Sequence, residues 1–227
     1  MRRALTAGAA LGLVAALGLA VPAEAKPAHY GKAPATVGVF HGIPKTPVDV
    51  YVGSKRVLDD FQPGTFSPSL SLKQGTYLVR VTAATAKNAK HPILKAHVSL
   101  KSAKSYSLIA HLTEKGRPTL TKYTNDLRAV GAGQARLTVR HVAAAPPVRV
   151  VVNGFVAVPF LKNPHQAKGV LYAGTYDVKV QLAASPNTTV LSAKLPVAAG
   201  TNAIVYAWGS AKDGTLALAT RAPALKH

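Results

Sequence analysis

The chain has no cysteine in 227 residues, one tryptophan, one methionine, and only 8 acidic side chains against 28 lysines and arginines. Without thiols there is no disulfide scaffold, no cysteine-based zinc or iron–sulfur site and no thiol nucleophile. With so few carboxylates, a mechanism that needs several acidic groups is hard to assemble. Long charged runs are also lacking: charged residues make up 16% and hydrophobic residues 48%, which is enough apolar surface to offset chain entropy, so the +20 formal charge rides on something folded.

The N-terminus is read apart from the fold. Arg2 and Arg3 precede an uncharged stretch of Ala, Leu, Gly and Val, and Ala23-Glu24-Ala25 supplies the small residues of a signal-peptidase site. Residues 1–25 are expected to be a removable signal peptide, on the general secretion route because the arginine pair directly follows Met1. Residues 26–35, rich in Pro, Ala and Gly, are expected to form an unstructured leader. Removal of residues 1–25 leaves a charge of +19, so the charge belongs to the exported protein. An exported chain without disulfides points to a bacterial source. Localisation is therefore expected to be secreted, with any retention at the cell envelope noncovalent.

An internal repeat organises the rest. At an offset near one hundred residues, His41 aligns with His141 and Pro47, Val48, Val50 and Val52 align with Pro147, Val148, Val150 and Val152. The segment Gly75-Thr76-Tyr77-Leu78-Val79-Arg80-Val81 then matches Gly174-Thr175-Tyr176-Asp177-Val178-Lys179-Val180. Within these blocks apolar and polar residues alternate with the period of a half-buried strand, and turn signals such as Gly53-Ser54 and Asn153-Gly154 separate the runs. About seven short strands per copy predict an all-β fold of two tandem antiparallel β-sandwich domains, at residues 36–130 and 135–224, with almost no helix. Residues 130–134 are predicted to be a short connection that sets the sandwiches end to end.

The repeated block resembles the bacterial exported family known as domain of unknown function 4397, in which a His-x-Ser-Pro-Asp-Ala-Pro-x-Val-Asp-Val-Tyr-Val segment opens the domain. Here His41, Pro44, Pro47-Val48-Asp49-Val50-Tyr51-Val52 and Gly75-Thr76-Tyr77 carry the likeness, once per copy. The resemblance implies an immunoglobulin-like sandwich, extracytoplasmic location and no assigned activity. The sequence departs from the motif at Ile43 and Lys45, at Ala143 and Ala145, and at Arg149, where the first copy keeps Asp49.

No catalytic constellation emerges. Asp59 and Asp60 are adjacent, and neighbouring strand residues face opposite ways, so a paired-carboxylate site is unsupported. His41 and His141 read as hydrogen-bonding to loop backbone rather than binding metal. His97 and His111 could approach across neighbouring strands but lack a third ligand. Tyr77 and Tyr176 read as core residues whose hydroxyls reach a loop backbone, and Trp208, aligned with His111, as a packing residue. The chain is expected to be no enzyme, with no metal and no cofactor.

The remaining signal is charge. No acid occurs between Asp60 and Glu114, and residues 26–130 carry 16 basic against 5 acidic groups, residues 131–227 10 against 2. The candidate polyanion-binding residues are Arg80, Lys87, Lys90, Lys95, Lys101, Lys104 and Lys179. Nucleic acid is not expected for an exported chain without an aromatic platform. Anionic envelope polymers, acidic glycans or anionic lipid head groups fit better. The alternative reading is a structural or adhesive module that binds a protein partner at the cell surface.

Overall fold

The computed structural model describes residues 32–226, and the expected signal peptide and most of the leader lie outside them. Ala35, placed at the end of the leader by its composition, is instead buried as the first residue of a strand. Among the described residues all regular structure is β, in two runs of eight strands. The first run comprises β1 (Ala35–Gly42), β2 (Val48–Val52), β3 (Lys55–Phe61), β4 (Leu70–Leu72), β5 (Gly75–Ala83), β6 (Leu94–Leu100), β7 (Ser105–Leu112) and β8 (Pro118–Thr124). The second comprises β9 (Gln134–His141), β10 (Val148–Val152), β11 (Phe155–Leu161), β12 (Gln166–Tyr172), β13 (Gly174–Leu182), β14 (Thr189–Val197), β15 (Asn202–Trp208) and β16 (Ala217–Arg221).

Each run makes one sandwich. In the first, the sheets have orders β3-β2-β5-β6 and β4-β1-β7-β8; in the second, β11-β10-β13-β14 and β12-β9-β15-β16. All pairs are antiparallel except β1·β7 and β9·β15, which are parallel. In each sandwich the chain changes sheet four times, in the first at β1–β2, β3–β4, β4–β5 and β6–β7, and β7 comes to lie alongside β1 in the same direction.

The end-to-end arrangement expected from the short connection is not what forms. Residues 125–133 are the connection, longer than the expected 130–134, and the two inner sheets pack face to face. Val37, Val39, Leu108 and Ala110 face the core of the first sandwich, and Leu137, Val139, Ala203 and Val205 that of the second. The alternate residues Phe40, Ile109, Tyr206 and Ile204 meet in a third core between them. Residues 35–221 thus stack four sheets deep. The inner strands are covered on both faces, which is why β7 and β15 are buried almost continuously while β5 and β13 alternate.

Aromatic contacts close this seam. Phe40 stacks on Tyr206 at 5.1 Å, meets Phe66 at 4.6 Å, and takes the edge of Trp208 at 5.8 Å. Gly64 lies under the Trp208 ring with φ +77°, where any side chain would both strain the backbone and strike the indole. Tyr123 donates to the Pro164 carbonyl at 2.6 Å, and the Asn163 amide donates to the carbonyls of Leu112 and Ala143, so hydrogen bonds cross the seam as well.

Candidate functional site

The structure separates the seven basic residues expected to bind polyanions. Arg80 and Lys95 are direct cross-strand partners on β5 and β6 of the first outer sheet, and with Lys90, Ala89 and Pro92 they line one shallow pocket. Lys87 belongs to the same β5–β6 loop. Lys101 and Lys104 lie instead around the β6–β7 turn, and Lys179 is on β13, in the outer sheet of the other sandwich. One contiguous seven-residue face does not exist, because sequence proximity does not report which sheet a strand joins.

Within the first group the electrostatics are unusual. Like charges directly opposite each other on adjacent strands are destabilising, and a carboxylate partner normally relieves them. No carboxylate lines the Arg80–Lys90–Lys95 pocket, and among the described residues none of the three enters an ion pair. The outward placement of Arg80 follows from burial of Val79 and Val81 on the opposite face. Thr82, two residues past Arg80 on the same strand, is by contrast fully buried, as is its cross-strand partner Asp49. The Asp49 carboxylate accepts the Asp60 amide at 3.0 Å and Arg56 Nη1 at 2.9 Å, tying β3 down, while the Thr82 hydroxyl has no hydrogen-bond partner.

A second basic surface, missed by the sequence reading, opens along the seam. Lys104, Arg221 and Lys226 line a groove of about 270 Å³. It shares Lys104, Ser105, Asn125, Leu127 and Lys226 with a wider depression of about 600 Å³ that adds Arg128 and Lys168. Asp126 is the acid at its edge. Hydrogen bonds from Arg128 hold that carboxyl well below the usual carboxylate range, and Arg136 lies 3.6 Å away, so this acid is occupied by arginines. The Arg221 guanidinium donates to Ser69 at 2.9 Å and lies over Gly38, where a Cβ would displace it. These cations are scattered over more than one hundred residues of chain, and no local motif announces them.

A protein-family model described as "Domain of unknown function (DUF4397)" matches residues 35–151, more than half of the chain. The chain belongs to the DUF4397 family. The match spans the first sandwich and ends within β10 of the second. No curated protein matches. Two solved structures are similar at low scores. One is the family 26 carbohydrate-binding module CBMbc from Eubacterium rectale Amy13K in complex with maltoheptaose, with 9% identity, TM-score 0.28, and coverage of 83% of this chain and 97% of that one. The other, from Bacteroides ovatus ATCC 8483, is named as a candidate cell adhesion protein, with 8% identity, TM-score 0.26, and coverage of 87% and 99%. At such scores neither likeness carries an argument about what the DUF4397 chain binds.

The motif residues of this DUF4397 domain are occupied with holding the fold. His41 Nε2 donates to the Thr46 carbonyl at 2.7 Å and His141 Nε2 to the Pro146 carbonyl at 3.1 Å, so each fastens the loop that follows its strand, as the sequence suggested. His111 Nδ1 donates to the Leu112 carbonyl and Nε2 accepts from the Thr121 hydroxyl. Burial pushes His111 down to about 4 and also lowers His41 and His141, so all three are neutral at pH 7. The expected approach of His97 to His111 does not occur: His97 is exposed on β6 of an outer sheet and His111 is buried on β7 of an inner one. The Tyr77 and Tyr176 hydroxyls donate to the carbonyls of Lys73 and Tyr172, both at 2.7 Å. Asp59 and Asp49 share Arg56 Nη1, at 2.8 and 2.9 Å, so the carboxylates are neutralised by the arginine.

The largest buried polar group is Arg140, at 0% exposure. It donates through Nε to Gln166, through Nη1 to Tyr206 and through Nη2 to Asn125, and its guanidinium lies 4.3 Å from the Tyr123 ring centroid. Among the described residues no carboxylate pairs with it. Its charge is stabilised by oriented dipoles and ring faces, while burial lowers its pKa. Arg140 stands where the first copy has Phe40, and both project into the seam.

Proposed function

We propose that this DUF4397 protein is a noncatalytic exported protein that associates electrostatically with an anionic cell-envelope or extracellular polymer. The observation that carries this reading is the opposed Arg80–Lys95 pair with Lys90 beside it and no carboxylate in the pocket they line. A phosphate, carboxylate or sulfate group on the polymer would supply the missing counter-charge and relieve the cross-strand repulsion. The seam groove, with Lys104, Arg221 and Lys226, offers a second contact for the same chemistry. The net charge of +19 left after removal of residues 1–25 adds a long-range field that raises association rates with polyanions.

Binding of the full chain to polyphosphate and to heparin, followed across salt concentration, tests this. Binding is expected at low salt and should weaken steeply as the Debye length falls from ~10 Å at 0.1 M to ~3 Å at 1 M. Arg80→Glu/Lys95→Glu should weaken it several-fold more than Lys115→Glu/Lys212→Glu, which makes the same change in net charge elsewhere on the surface. Equal losses would show that charge alone is read. Salt-insensitive capture of a single protein would favour the adhesive alternative.

A further inference from the structure

Five large apolar side chains stand exposed on two consecutive edge strands of the second sandwich: Phe155 (79%), Val156 and Phe160 (59%) on β11, and Val170 and Tyr172 (67%) on β12. Among the described residues Ile93, at 36%, is the one other exposed large hydrophobic side chain. The first sandwich builds the same edge from different residues. The pairing Val52↔Lys55, Tyr51↔Arg56 and Val48↔Phe61 corresponds to Val152↔Phe155, Val151↔Val156 and Val148↔Leu161. Lys55, Arg56 and Asp60 therefore become Phe155, Val156 and Phe160. The tyrosine hydroxyls that reach Lys73 and Tyr172 align those two residues, and Ser71 with Val170. Every exposed hydrophobic residue on the second edge replaces a polar or charged one on the first.

Charged residues on an edge strand block association, and their removal is a liability unless something covers the edge. Strand addition is a poor fit. β11 carries two register shifts against β10, and Pro159 removes an amide, so its outer edge is an interrupted template. A second copy would also bring its own large positive charge. The surroundings favour an anionic partner: Lys162 and Lys168 are exposed beside the patch, Lys168 shares one face of β12 with Val170 and Tyr172, and no acid occurs between Asp126 and Asp177. Exposed aromatics flanked by lysines match the layered chemistry of a bilayer surface, with acyl chains below and anionic head groups above. We propose that the β11–β12 edge docks on a lipid surface bearing anionic head groups, with Phe155 and Phe160 entering the acyl boundary and Lys162 and Lys168 meeting the head groups. This surface is separate from the Arg80 pocket, and either can fail without the other.

The test is cosedimentation of the full chain with vesicles of equal parts phosphatidylglycerol and phosphatidylcholine, and with phosphatidylcholine alone. The wild-type chain is expected to partition onto the mixed vesicles and not onto phosphatidylcholine. Phe155→Lys puts in the first sandwich's residue and adds a positive charge, so pure charge attraction would strengthen binding; docking through the apolar edge requires a loss of about tenfold. Phe155→Lys/Phe160→Asp, with unchanged net charge, should lose more still, while Arg80→Glu/Lys95→Glu keeps most of the vesicle binding. Equal or stronger binding by Phe155→Lys would overturn the proposal, as would no wild-type binding or equal binding to both vesicle types. A wild-type dimer in sedimentation velocity that becomes monomeric in Phe155→Lys would assign the edge to a second copy instead. Far-UV circular dichroism and thermal melting of each variant exclude unfolding as the cause.

Discussion

The two sandwiches share a frame and differ in what they turn outward. The histidine that fastens the first loop, the paired valines of the second strand, the tyrosine that caps the fifth and the parallel pair in each inner sheet all recur at equivalent positions. The differences fall at the seam, where Phe40, Ile109 and His111 face Arg140, Tyr206 and Trp208, and at one edge, where a charged strand becomes apolar. What is repeated holds each sandwich together. What differs lies where a sandwich meets its neighbour or its surroundings.

The sharpest way to break this comparison is at the seam. Phe40→Ala empties the centre of the third core and should cost about 4 kcal/mol in urea denaturation. Arg140→Ala, at the equivalent position, should cost about 3 kcal/mol, because Tyr206, Gln166 and Asn125 lose their shared donor. Acid acts on the same region. The folded state lowers His111 to about 4 from an unfolded value near 6.5, so the unfolded chain binds more protons between those values. Stability is then fully present above pH 6.5 and falls as pH drops toward 4, by about 3 kcal/mol from this residue. His41 and His141 shift in the same direction and add to the loss. Equilibrium unfolding at stepped pH should show the decline, and His111→Gln should flatten part of it.

Smaller effects separate the two edges. Asp49→Ala strands the Asp60 amide and Arg56 and should cost about 2 kcal/mol. Arg149→Ala, at the matching position, loses a single hydrogen bond to Gln181 and should cost about 0.5 kcal/mol. Phe155→Lys/Phe160→Asp should move stability by less than about 0.5 kcal/mol, since both side chains are exposed. A larger loss would mean that the apolar edge serves folding rather than docking.

The outer sheets were legible in the sequence because one of their faces is solvated: Val79 and Val81 alternate with Leu78 and Arg80, and Val178 and Val180 with Asp177 and Lys179. The inner sheets were not read as a seam, because a strand buried on both faces loses that alternation. The near-continuous burial of Tyr106 to Leu112 and of Asn202 to Ala207 is the trace it leaves. The one-hundred-residue offset sets Phe155-Val156 against Lys55-Arg56, but which edge those residues occupy depends on pairing across the sandwich. The basic residues were recognisable as an excess and not as a site, since Arg80 and Lys95 meet only through strand register, and Lys104 and Arg221 only through the seam.

The seam of inner sheets is expected to join the two repeated sandwiches into one cooperative body, and Trp208, the single tryptophan, sits where they meet, against Phe40. Urea unfolding followed in parallel by Trp208 fluorescence and by far-UV circular dichroism tests it most directly. Coincident transitions with one midpoint are expected. A Trp208 transition completed at lower urea, with the β signal intact, would mean instead that the sandwiches part before either unfolds and that the seam does not make them one cooperative body.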